Sequence, residues 1–108
     1  NQPSGCGNNF GVNSVQLQKN RWYELTIRVK SNTGNNSNGG IEFKVDGVSI
    51  YRDASFRWTN TTSSDNLIKK LSFNVFRGGS EDYWAATTDG YIYFDDIKWD
   101  RRSSTEAF

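Results

Sequence analysis

Hydrophobic and polar residues alternate along much of the chain with a period of two, the signature of strands that bury one face. A short alternating piece with Val15 and Leu17 runs from Ser14 to Gln18. From Trp22 to Lys30 the pattern is longer, with Tyr23, Leu25, Ile27 and Val29 on one face and Trp22, Glu24, Thr26, Arg28 and Lys30 on the other. Ser31 to Gly40 holds no apolar residue and reads as a loop. Ile41, Phe43 and Val45 then alternate with Glu42, Lys44 and Asp46, and Asp46-Gly47 leads into Val48, Ile50 and Tyr51. An Asp-Gly pair between two alternating runs is a strong local signal for a hairpin.

Asp53 to Asn66 is polar around Phe56, Arg57 and Trp58, and reads as a connection with one short extended piece. Leu67 to Arg77 is the next strand, with Leu71, Phe73 and Val75 inward and Lys70, Ser72, Asn74 and Phe76 outward. Gly78-Gly79 ends it, Ser80 to Gly90 forms a loop carrying Tyr83 and Trp84, and Tyr91 to Trp99 is the last strand. The pattern predicts an all-β fold: an antiparallel β-sandwich or jelly roll of about six strands over residues 14–100. An irregular arm spans 1–13 and a polar tail 101–108. The expected core comprises Tyr23, Leu25, Ile27, Val29, Phe43, Val45, Leu71, Phe73, Val75, Ile92 and Phe94.

Composition supports strands and narrows the chemistry. Six Val, six Ile and sixteen aromatics stand against four Ala, four Leu and no Met, which excludes an all-helical protein. At 108 residues there is room for one domain. A net charge of +1 is too balanced for a nucleic-acid binder. No apolar run is long enough to span a bilayer as a helix, and no basic-then-apolar leader opens the sequence, so it is expected to start mature or within a longer protein. With no His and the single Cys6, the chain offers no His/Cys metal site, no Ser-His-Asp or Cys-His catalysis and no internal disulfide.

The polar register carries the candidate site. Arg28, Lys30, Lys44, Lys70, Asn74 and Arg77 share it, and a sheet face of cations and amides suits carboxylated sugars, with Trp84 at the rim as a stacking surface. These residues equally suit an ordinary solvated face with Glu24 and Glu42 interspersed. Arg77 beside Gly78-Gly79 is the best local candidate, because glycine lets backbone approach a ligand. Asp89, Asp95, Asp96 and Asp100 offer oxygens that Ca²⁺ would take, but adjacent acids on a strand point to opposite faces, so turn hydrogen bonding is the stronger reading and no cofactor is expected. Asn35-Asn36-Ser37 and Asn60-Thr61-Thr62 are glycosylation sequons in surface loops, in keeping with a secreted, extracellular protein.

Four ordered pieces, GCGNNFGVNSVQLQKNRWYELTIRVKSN, NGGIEFKVDGVSIY, LSFNVFRGG with the following Trp84, and YIYFDDIKW, resemble the second half of the catalytic domain of polysaccharide lyase family 14. The resemblance covers roughly residues 5–99. It implies a jelly roll about twice this length whose catalytic Lys, Arg and Tyr-x-Tyr set lies on strands preceding the Cys-bearing loop. Those strands are not in this sequence, so the catalytic residues are unknown here. Tyr91-Ile92-Tyr93 copies the tyrosine spacing on a different strand, and the role is not carried over. The resemblance further implies that Cys6 pairs with a partner upstream, and that a companion chain or N-terminal segment completes the fold. Three functions remain open: part of a lyase acting on acidic, uronate-containing polysaccharide by β-elimination; a carbohydrate-binding module or lectin; and a structural protein of an extracellular assembly.

Overall fold

A computed structural model describes residues 15–60, 68, 70–103 and 106–108. The expected arm 1–13 with Cys6, and the start of the Leu67–Arg77 strand, lie outside the described residues. The chain divides into two units, Asn1–Ile68 with Ser104–Phe108 and Lys69–Ser103.

The first unit is built on a three-stranded antiparallel sheet in the order β1 (Leu25–Lys30), β2 (Gly39–Val45), β3 (Val48–Phe56). β1 begins three residues later than the alternation suggested, and residues 15–18 are exposed and outside any strand. Asp46-Gly47 turns β2 into β3 with φ of 49° and 79°, the positive pair that a tight hairpin of matching twist requires. The Asp46 carboxylate also accepts from the Glu24 backbone N–H at 2.9 Å and the Arg21 guanidinium at 3.0 Å, while the Asp46 N–H donates to the Glu24 carbonyl at 2.8 Å. The hairpin turn therefore fixes the entry into β1.

β3 extends to Phe56, well into the stretch expected to be a connection, and β2 begins at Gly39 inside the expected loop. Asn32 explains both extensions. Its side chain is buried, at 2% exposure. Its Oδ1 accepts from the Trp58 and Thr59 backbone N–H groups (2.8 and 3.1 Å), and its Nδ2 donates to the Thr59 and Gly34 carbonyls (2.9 and 3.0 Å). One amide thus holds the chain after β1 against the chain after β3. Gly39 sits in the gap: a Cβ there would lie 2.7 Å from the Phe56 carbonyl oxygen and 2.8 Å from that of Lys30.

The apolar face of the sheet is covered less evenly than the alternation predicts. Leu25, Ile27 and Val29 pair across β2 with Val45, Phe43 and Ile41. Leu25 and Ile27 are nevertheless 60% and 67% exposed, and among the described residues Ile41 is the buried apolar side chain. The assignment of Leu25, Ile27 and Val29 to a core is corrected: these β1 side chains are exposed while Ile41 beside Val29 is buried, and segment 106–108 lies against the polar face.

In the second unit the expected strands carry no sheet pairing among the described residues. Leu71, Phe73, Val75, Ile92 and Phe94, assigned to the core from alternation, are likewise exposed. Phe73 and Phe94 meet edge to face with centroids 4.8 Å apart. Asp96 breaks the last alternating run with a φ of 49°, its N–H held by the Asp95 carboxylate at 2.8 Å. A 3-10 turn spans Asp82–Trp84. Among the described residues the β-rich, nearly helix-free composition is realised, with three paired strands.

Replacing Asn32 by Ala strands several buried backbone groups at once, so the first unit should lose about 2 kcal/mol or more, read as a lower midpoint in chemical denaturation and faster amide exchange at Trp58 and Thr59. Gly39→Ala should also destabilise, because both obstructing atoms are backbone.

Candidate functional site

The polar face of the sheet is organised around one carboxylate. Glu42 lies in the central strand opposite Arg28 on β1 and Arg52 on β3, with its side chain only 6% exposed. Arg28 reaches its Oε1 at 2.8 Å and the Ser49 hydroxyl donates to its Oε2 at 2.8 Å. Lys44 and Arg52 stand at 3.9 and 4.0 Å. A carboxylate withdrawn from water is tolerated where hydrogen bonds and cations compensate it. Alternation suggests a solvated Glu42 interspersed among the cations; it is instead the buried hub of the face.

The site depends on a β-bulge. Phe43 faces Tyr51 and Lys44 faces Ser49, which leaves Ile50 as an extra residue in β3. Strict alternation from Val48 would send Ser49 and Arg52 to opposite sides, whereas the inserted residue brings both onto the face of Glu42. Alternation alone does not place Arg52 on this face. The local signal that could have located it is the run Val48-Ser49-Ile50-Tyr51, whose two consecutive large apolar residues break the alternation.

The cations outnumber the carboxylate. Arg28, Lys30, Lys44 and Arg52 occupy one side of three adjacent strands, and Arg28, Lys44 and Arg52 share Glu42. Segment 106–108 rests on this side, with the Phe108 ring against Gly40 and its centroid 4.7 Å from the Arg28 guanidinium carbon. Of the sequence candidates, Arg28, Lys30 and Lys44 are gathered here. Lys70, Asn74, Arg77 and Trp84 belong to the second unit, where Lys70 and Asn74 are exposed. Arg77 and Trp84 meet: the Arg77 guanidinium donates to the Trp84 carbonyl. Gly79, at φ 133°, admits the Trp84 ring, and a Cβ there would lie 2.3 Å from it. The glycine pair thus makes room for a side chain of its own loop, beside an open hollow of about 380 Å³ lined by Arg77, Glu81, Asp82 and Trp84.

Asn35 and Asn60 of the sequons are exposed, and Asn35 accepts from Arg57 at 2.9 Å. Among the described residues no three His, Cys, Asp or Glu side chains gather as a metal site, and no helix is long and apolar enough to cross a membrane.

The Ser49 hydrogen bond, then that of Arg28, and finally the charges of Lys44 and Arg28 hold the Glu42 carboxyl below the ordinary 4.5 of a glutamate, against the opposing effect of desolvation. Because the folded value is the lower one, the stabilisation is complete above about pH 4.5 and is lost as pH falls from there through the folded value. Stability measured against pH should show an acid limb that Glu42→Gln flattens; an unchanged limb would place the responsible carboxylate elsewhere.

Comparison with known proteins agrees with the resemblance read from the sequence. Over 80 residues the chain is 36% identical to a protein described as exolysin from Paramecium bursaria Chlorella virus 1. The match covers 72% of this chain and 12% of the viral protein, so the chain spans a small part of that relative. No solved structure matches the chain. The family model described as polysaccharide lyase 14 matches residues 2–97, which is most of the sequence, and the chain belongs to that family.

Proposed function

We propose that the polar face of the three-stranded sheet binds an acidic polysaccharide, as part of a family 14 lyase that cleaves uronate-containing glycans such as alginate or glucuronan by β-elimination. The observation that carries the reading is the cluster of Arg28, Lys44 and Arg52 around the Glu42 carboxylate, with Lys30 in the same register of β1. Glu42 fixes the two arginines and the lysine in place and leaves an excess of positive charge on the face. Guanidinium forks suit the carboxylate of a uronate, and an ordered cation loses less freedom on binding than a mobile one. Neutralising that carboxylate is also what β-elimination needs, because it eases removal of the adjacent C5 proton by a Tyr or Lys base. On this reading the base comes from the part of the lyase preceding the present sequence, and that part also supplies the partner for Cys6 and the remaining strands of a jelly roll. An extracellular setting follows from the polymeric substrate and suits the exposed Asn35 and Asn60.

Affinity for a defined alginate oligosaccharide, measured by titration calorimetry, should fall with added salt and exceed that for a neutral oligosaccharide of equal length. Arg52→Ala should weaken binding about tenfold with the circular dichroism spectrum unchanged, while Arg21→Ala, at the hairpin turn, should leave affinity as it is. Equal binding of the neutral and acidic sugars, or full affinity in Arg52→Ala, would refute an anion-binding role for this face. Formation of an unsaturated product, followed by its ultraviolet absorbance in the longer protein, tests the elimination itself.

A further inference from the structure

Segment 106–108 is held on the cationic face through several independent contacts. The Lys30 ammonium donates to the Glu106 carbonyl at 3.0 Å, and the Arg52 guanidinium donates to the Phe108 main-chain oxygen at 3.1 Å. The guanidinium carbons of Arg28 and Arg52 stand 4.7 and 5.1 Å from the Phe108 ring centroid, within cation–π range. The floor of the seat is Gly40, and a Cβ on that residue would lie 2.6 Å from the ring. Gly40 is a buried strand residue without positive φ, so backbone conformation does not require glycine there; the ring does. The Trp58 indole N–H holds the Gly40 carbonyl at 3.3 Å, bracing the floor.

The seat therefore combines a flat floor, cationic walls and a donor to an oxygen beside the ring. A uronate residue presents the same combination of a ring and an adjacent carboxylate. We infer that segment 106–108 is an intramolecular occupant of the cationic face that competes with an anionic, ring-bearing ligand for Arg28, Arg52 and the Gly40 floor. The competition rests on the proposed reading of this face as the glycan-binding surface; the occupancy stands on the contacts alone. Binding of the glycan then requires Phe108 to leave, and the apparent affinity is reduced by the fraction of time that the seat is taken.

Two measurements on the 108-residue chain test this separately. Arginine-specific dicarbonyl labelling, resolved by mass spectrometry, should proceed severalfold faster at Arg28 and Arg52 in Phe108→Ala than in the parent, with Arg21 unchanged as the internal reference. Equal labelling of Arg28 and Arg52 in the two proteins would overturn the occupancy. In calorimetry, Phe108→Ala should bind the alginate oligosaccharide about tenfold more tightly, the scale of two released cation–π contacts. Gly40→Ala should speed labelling in the same way but without the gain in sugar affinity, since the new methyl group fills the floor. Faster labelling with unchanged affinity in a parent that binds would overturn the competition. Faster labelling with no binding by either protein would support the occupancy and refute the glycan reading.

Discussion

Burial of the Glu42 carboxylate in the central strand is the constraint on which the rest of the first unit depends. A charge withdrawn from water must be compensated where it stands. The compensation comes from both neighbouring strands, Arg28 on β1 and Ser49 with Arg52 on β3, and from Lys44 one position beyond its strand neighbour. The same contacts fix the pairing of β1 with β2 and of β2 with β3. They also concentrate cations on one side of the sheet, so the feature that sets the register produces a surface suited to anions. Structure and proposed function therefore share one carboxylate, and replacing it acts on both.

Asn32 is the second organising group and works by a different route. It carries no charge, and its amide supplies two acceptor bonds and two donor bonds to backbone that would otherwise lie unpaired beyond the strand ends. This closes the open end of the sheet opposite the Asp46-Gly47 turn. Between these two ends the Phe108 ring lies within cation–π range of both Arg28 and Arg52.

The second unit shows what alternation does without hydrogen-bonded neighbours. Leu71, Phe73 and Val75 keep the spacing of a buried strand, yet the described residues around them form no ladder, and the Asp96 kink interrupts the last run. Local order there comes from smaller contacts, the Phe73–Phe94 pair and the closure of Arg77 and Trp84 over Gly79. Large apolar side chains are exposed in both units among the described residues.

The sequence by itself determined the strand vocabulary, the hairpin at Asp46-Gly47, the common face of Arg28 and Lys44, and a resemblance to polysaccharide lyase 14 that the family match bears out. These are local properties, set by period-two alternation, turn chemistry and short ordered motifs. Only the tertiary structure decided which face is covered, because alternation separates two faces without saying what lies over either. It also decided that Glu42 is a buried hub, that Asn32 carries β3 on to Phe56, and that Arg52 joins the cations. Each of these depends on a partner ten or more residues away or on the bulge at Ile50, and a bulge reverses the face of every residue beyond it.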